Sequence, residues 1–141
     1  MIGLSVVLDA NVLIAATEPN DPHHRRAVEA MTAAAPGTMA VHPLTLAEVL
    51  VGGVRQGRGP ELKTAIEAAG VVILSGDVVD PLVIAAVRHD TGLKLPDAVV
   101  LATAQALGVD LLTFDLALRA RAAFSTPSPL AGGTASKRRL D

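Results

Sequence analysis

The chain is 141 residues long, which is room for one ordinary domain and not for two. Half of it is hydrophobic and 18% is charged, too apolar for a disordered chain and enough to build a sizeable core. Phe114 and Phe124 are the only aromatic residues, cysteine is absent, and 12 Lys and Arg stand against 14 Asp and Glu for a net charge of −2. Serial stacking of bases on aromatic platforms, disulfides, thiolate nucleophiles and Cys-ligated zinc or iron–sulfur centres are thereby excluded, and the overall charge does not advertise a nucleic-acid partner.

In chain order, Leu4-Ser5-Val6-Val7-Leu8 is a short β-branched run of the kind that forms a strand buried on both faces, followed by a helix over Asn11 to Thr17. Asp21-Pro22 predicts the opening of a second helix, as cap and first-turn proline, with Pro36-Gly37 as its stop. Met39 to His42 reads as a second strand, and Thr45 to Gln56 as a helix with Leu44, Ala47, Leu50, Val51 and Val54 inward. A shorter helix from Pro60 to Ala69 ends at Gly70, before a third strand at Val71 to Leu74. Asp77 to Asp90 predicts a helix capped by Asp77 and stopped at Thr91-Gly92, and Leu95-Pro96-Asp97 opens another that reaches Leu107-Gly108. Asp110 to Thr113 reads as a fourth strand and Asp115 to Ala123 as the last helix. Beyond it, the Ser-, Pro- and Gly-rich stretch 125–141 has the composition of a loose tail. Strands alternating with helices over short loops imply a parallel sheet covered on both faces. The first apolar run ends at Asp9 with no basic segment before it, and no run approaches the roughly 18 apolar residues of a membrane span, so a soluble, unprocessed chain in a reducing cytoplasm is expected.

In such sheets ligands bind beyond the carboxyl ends of the strands, which singles out Asp9 after the first strand and Asp115 after the fourth. Each has a plain alternative as the N-cap of the helix behind it. Glu48 has Leu44, Thr45, Val51 and Gly52 at helical spacing, an apolar and small-residue surface expected to face the sheet. A carboxylate there needs a cation opposite it, or else an exposed helix edge. Gly52-Gly53 one turn on would let another element approach closely. Asp97 lies in a first helical turn, where the helix dipole alone would favour a carboxylate. Taken together, Asp9, Glu48, Asp97 and Asp115 can converge on one rim with no Lys or Arg immediately beside them. Like charges at that density call for a divalent ion, and oxygen ligands select Mg²⁺ or Mn²⁺ rather than zinc.

These residues resemble the PIN-domain ribonucleases, and among them the VapC-type toxins of bacterial toxin–antitoxin pairs, over roughly residues 4 to 124. The resemblance rests on Val6-Val7-Leu8-Asp9-Ala10-Asn11, on Leu44-Thr45-Leu46-Ala47-Glu48-Val49-Leu50 with Gly52, on Leu95-Pro96-Asp97-Ala98 running into Leu101-Ala102-Thr103-Ala104, and on Leu111-Leu112-Thr113-Phe114-Asp115. It implies a three-layer α/β/α domain over residues 1–124 with a four- or five-stranded parallel sheet. It also implies a metal-dependent endoribonuclease whose acidic cluster is Asp9, Glu48, Asp97 and Asp115, with Asn11 and Thr113 as supporting polar groups. A homodimer and a small inhibitory antitoxin, with a basic side chain reaching the acids, follow from the same resemblance. Ala123-Phe124-Ser125-Thr126-Pro127 departs from it by offering almost nothing that reads as the fifth strand.

The mechanism expected is metal-assisted hydrolysis, with a water losing its proton near neutral pH and attacking phosphorus in line to leave 5′-phosphate and 3′-hydroxyl ends. His23, His24, His42 and His89 fall outside the four motifs, which argues against histidine-pair chemistry. The basic runs His23-His24-Arg25-Arg26 and Lys137-Arg138-Arg139 read as solvated surface, with contact to RNA as the alternative for each. A receiver-type phospho-acceptor domain is the alternative from another class, but it would want paired acids after the first strand and a lysine at a late strand end, whereas Lys94 falls in a loop. A PIN fold that binds without cutting is the third possibility.

Overall fold

The computed structural model describes residues 3–124. Four strands, β1 (Leu4–Leu8), β2 (Thr38–Val41), β3 (Val71–Ile73) and β4 (Asp110–Leu112), form one parallel sheet in the order β3-β2-β1-β4. Seven helices among the described residues cover it: α1 (Ala10–Thr17), α2 (His24–Ala34), α3 (Pro43–Arg55), α4 (Gly59–Ala68), α5 (Pro81–Thr91), α6 (Leu95–Leu107) and α7 (Leu116–Phe124). The three-layer α/β/α arrangement is the one expected. The tail at 125–141 and most of the doubtful fifth-strand segment lie outside the described residues.

Because successive strand residues point to opposite faces, the central strand β1 serves two cores. Val6 and Leu8 pack with Leu13 of α1, Leu46 and Val49 of α3 and Ile66 of α4, whereas Val7 packs with Val100 and Ala104 of α6 on the other side. Both faces of β1 are therefore dry from Val6 to Leu8, as its β-branched sequence predicts, while Ser5 near its start is exposed. Among the described residues no helix is long and apolar enough to cross a membrane.

Several local expectations are corrected. The carboxylate of Asp21 accepts from the His23 N–H at 2.8 Å in a turn, and α2 starts only at His24 without a side-chain cap. The cause is tertiary: the His24 ring Nδ1 lies 2.8 Å from the Ala15 carbonyl oxygen and ties the start of α2 to the end of α1. β2 ends at Val41, because His42 leaves the strand to cap α3, its Nδ1 accepting from the Leu44 N–H at 3.1 Å. The cap of α5 is Asp80, which accepts from the Leu82 N–H at 2.7 Å, while Asp77 accepts from the Ser75 hydroxyl in the preceding loop.

The inward face of α3 also differs from the expected one. Leu44, Val51 and Val54 are exposed at 59%, 46% and 67%, and the buried positions are Thr45, Leu46, Val49 and Gly53. Of the two glycines, Gly53 is where α4 comes close, a Cβ there lying 2.9 Å from Leu62 Cδ2, whereas Gly52 faces open space.

Gly37, between α2 and β2, lies against Ser5 so closely that an added Cβ would overlap the serine Cβ and Oγ. Gly37→Ala is therefore expected to destabilise the domain by about 1–3 kcal/mol in urea melts, the usual cost of overpacking a tight contact. A melt unchanged by the substitution would mean that the start of β1 gives way freely.

Candidate metal centre

The strands end on one rim, and the polar groups there form a connected network around Asp9. Asp9 follows β1 directly, is 6% exposed, and its own N–H donates to the Leu112 carbonyl at 3.0 Å, so it continues the β1–β4 pairing and meets Thr113. One carboxylate oxygen accepts from the Ala10 N–H at 2.8 Å and the other from the Thr113 hydroxyl at 2.7 Å. Thr113 is 1% exposed, and its oxygen also accepts from Asn11 Nδ2 at 3.3 Å and from the Asp115 N–H at 3.1 Å. One donation and two acceptances fill a hydroxyl, so this residue is saturated. Asn11 closes the ring by accepting from the Phe114 N–H at 3.2 Å, and Arg119 clamps the loop by donating to the Thr113 carbonyl at 2.6 Å.

Both Asp9 and Asp115 do the plain capping work as well. Asp9 caps α1, and Asp115 accepts from the Leu118 N–H at 3.0 Å at the start of α7. A cap consumes one lone pair of a carboxylate and leaves others for a ligand, so the two roles coexist.

Electrostatics ties the remaining acids to this network. Burial, and then the charge of Asp115, push Asp9 above the usual carboxylate range against the lowering bonds from Thr113 and Ala10. Glu48 is raised by partial burial and by the charges of Asp9 and Asp97. Asp97, in the first turn of α6, is raised by partial burial and by Asp9 and Asp115, with Lys94 pulling the other way. Lys94 is thus a neighbouring cation that the sequence reading did not place beside the acids. Glu48 itself stands on the exposed side of α3, as the altered face of that helix requires, rather than against the sheet. Among the described residues the ion pairs are Arg25–Glu29 and Lys63–Glu67, so none of the four acids is held by a salt bridge.

The donor set is all oxygen, which suits a hard divalent cation. Among the described residues, however, no three His, Cys, Asp or Glu side chains already form a group able to hold a metal ion. The residues fit Mg²⁺ or Mn²⁺ in kind, because such ions commonly keep several waters and take one or two carboxylates directly. A fully closed cage is not required.

His42 is a feature the motifs missed. It is 3% exposed, burial lowers its pKa, and with Nδ1 accepting, its proton belongs on Nε2, which has no partner among the described residues. The buried Thr45 hydroxyl is likewise unpartnered among the described residues. The Pro following His42 was the available signal for a helix start there. Away from the acids, a groove of about 740 Å³ runs between α1, α2, α3 and α4, lined by apolar side chains such as Ile14, Val28, Met31 and Leu62.

The profile of the family described as PIN domain matches residues 6–123. Twelve solved chains are similar. One, from a toxin–antitoxin complex of Klebsiella pneumoniae, is 29% identical, with a TM-score of 0.60 over 79% of this chain and 87% of that one. A sarcin–ricin loop cleaving VapC toxin of Mycobacterium tuberculosis is 19% identical, with a TM-score of 0.64 over 83% and 95%. A VapBC complex of Rickettsia felis bound to a DNA fragment from its promoter is 16% identical, with a TM-score of 0.59 over 80% and 89%. The last two bear on the fold alone. No curated protein sequence matches the chain.

Proposed function

Since the chain belongs to the PIN domain family, we propose that it is a metal-dependent endoribonuclease and the toxin of a toxin–antitoxin pair. The observation that carries this reading is the buried Asp9 carboxylate on the rim of the sheet, within electrostatic reach of Glu48, Asp97 and Asp115 and with no salt bridge to any of them among the described residues. Family membership displaces the receiver-type alternative. Asp9, Glu48, Asp97 and Asp115 are the residues that would hold Mg²⁺ or Mn²⁺. A bound ion supplies positive charge that eases deprotonation of the attacking water and stabilises charge on the phosphate. Thr113 and Asn11 fix the Asp9 rotamer, so the central carboxylate need not reorganise when substrate arrives. The products are expected to carry 5′-phosphate and 3′-hydroxyl ends.

The decisive experiment is cleavage of RNA by purified, partner-free protein, followed by sequencing of the ends. Cleavage that needs Mg²⁺ or Mn²⁺ and stops with chelator is the result expected. Metal-independent cutting, or cyclic phosphate ends, would require another mechanism, and intact RNA would leave a PIN fold that only binds.

An antitoxin is part of the proposal, as in the Klebsiella complex. The apolar groove between α1, α2, α3 and α4 suits an amphipathic helix of that partner, and a basic side chain elsewhere on the partner would compete with metal for Asp9, Glu48 and Asp97. Titrating the purified complex with Mn²⁺ at fixed ionic strength should therefore relieve inhibition. If inhibition is indifferent to metal and survives charge reversal of the antitoxin's basic residues, the partner acts elsewhere. A homodimer is the expected assembly, and the exposed Leu44, Val51 and Val54 on α3 support a covered face. The cytoplasm is the compartment proposed for this activity.

A further inference from the structure

The run His23-His24-Arg25-Arg26 has no part in the acid cluster, yet the fold carries it to the cluster's edge. The Arg26 guanidinium carbon lies 4.3 Å from the centroid of the Phe114 ring, and the His23 ring sits 5.8 Å from the same centroid, tilted by 46°. Phe114 is the residue between Thr113, whose hydroxyl donates to Asp9, and Asp115. It is held on two sides, by the bond from its N–H to Asn11 and by packing against Val12, Ala15 and Ala27. The same short loop therefore brings Arg26 close to Asp115 and, through Thr113, to Asp9.

Arg26 differs from its neighbour in a way that matters for ligands. Arg25 reaches Glu29 at 3.4 Å and points away at 91% exposure, an ordinary solvated pair. Arg26 is exposed and forms no salt bridge among the described residues, although Asp115 follows directly on the ring it covers. A guanidinium stacked on an aromatic face keeps its N–H edge free and has already given up much of its rotamer freedom, which suits it to bidentate capture of a phosphate. An acidic pocket repels a polyanion, so a substrate backbone entering it needs a fixed cation at the margin.

We propose that Arg26, seated on Phe114 with His23 beside it, anchors an RNA phosphate next to the bond presented to the acid cluster. The inference rests on the ribonuclease reading and adds a positioning residue to it. Arg26 acts on substrate binding, not on the chemical step.

The test is binding of a single-stranded RNA oligonucleotide to the full chain in chelator, read by fluorescence anisotropy across a salt series, with steady-state cleavage measured alongside. Arg26→Ala should weaken binding about 5- to 20-fold and flatten the slope of log affinity against log salt by about 0.7, the loss of one phosphate contact on a single strand. Cleavage should show a raised KM at unchanged kcat. Arg26→Lys should recover the salt slope but only part of the affinity, because the charge returns without the flat, stacked fork. Arg25→Ala, which removes the same charge one residue away, should change affinity less than about 2-fold, as expected of an exposed surface pair. Unfolding curves matching the wild type establish that each variant is folded. Equal losses for Arg25→Ala and Arg26→Ala overturn the proposal, as do an unchanged salt slope in Arg26→Ala and an absence of RNA binding by the wild type. Protein that binds RNA through Arg26 but never cuts it overturns the nuclease reading alone, and protein that cuts with metal while indifferent to Arg26 overturns the anchor alone.

Discussion

Replacing Asp97 by Asn is expected to cut metal-dependent cleavage by at least about 100-fold, since even groups that merely orient metal ligands are worth 10- to 100-fold. The same substitution should leave the metal-free protein as stable as before or slightly more so. Partial burial raises the Asp97 pKa, as do the charges of Asp9 and Asp115, against Lys94. A carboxyl raised in the folded state binds its proton more tightly there than in the unfolded chain. Below its ordinary value of 3.8 the group is protonated in both states and has no effect. The penalty then grows as pH climbs through the window between that value and the raised one, and is complete above it. Asn removes the penalty at neutral pH and flattens this part of the pH dependence. Thermal melts in chelator between pH 4 and 8, as a round range of about four units across the carboxyl window, read both effects. Adding Mn²⁺ should raise the melting temperature of the wild type and do so far less for the variant, because only a competent site stabilises by mass action. A loss above about 1 kcal/mol in the metal-free variant would show that Asp97 serves chiefly as a first-turn residue interacting with the helix dipole of α6.

Thr113→Val is expected to cost both stability and activity, because the two side chains have the same shape and differ only in the hydroxyl. That hydroxyl donates to Asp9 and accepts from Asn11 and the Asp115 N–H, all at the rim of the sheet. Its removal strands a buried carboxylate oxygen, and a loss of about 2–4 kcal/mol follows from leaving charged and neutral partners unsatisfied. The bond from Thr113 is the largest influence holding the Asp9 pKa down, opposed by burial. Without it the Asp9 carboxyl rises further, so the acidic limb of the pH–activity profile should move to higher pH. Activity at pH 8 should then recover more than activity at about pH 6, relative to wild type. An unshifted profile with reduced stability would confine Thr113 to a structural role. Thr113→Ser, which keeps the hydroxyl, should restore the profile.

Much of this protein is written locally. The run Leu4 to Leu8 forms β1 with the bounds its β-branched pattern implies, and Gly92 and Gly108 end α5 and α6 in left-handed conformations that glycine adopts without strain. Asp9 and Asp115 were legible because strand ends are local features and the rule that parallel sheets bind ligands there is general. Where two local signals competed, the tertiary structure chose. Asp21-Pro22 and Asp80-Pro81 look alike, yet only Asp80 caps a helix, because His24 fixes the start of α2 through Ala15. On α3 apolar residues surround the axis, so periodicity cannot say which side is buried. Contact with β1 and α4 selects Leu46, Val49 and Gly53, and turns Leu44, Val51 and Glu48 outward. The sequence by itself determined the strands, apart from their ends, the α/β alternation and the placing of Asp9 and Asp115 just past β1 and β4. Only the tertiary structure decided how Asn11 and Thr113 meet across a separation of 102 residues and how Arg26 comes to cover Phe114, because such contacts depend on the order in which strands pair and not on any neighbouring residue.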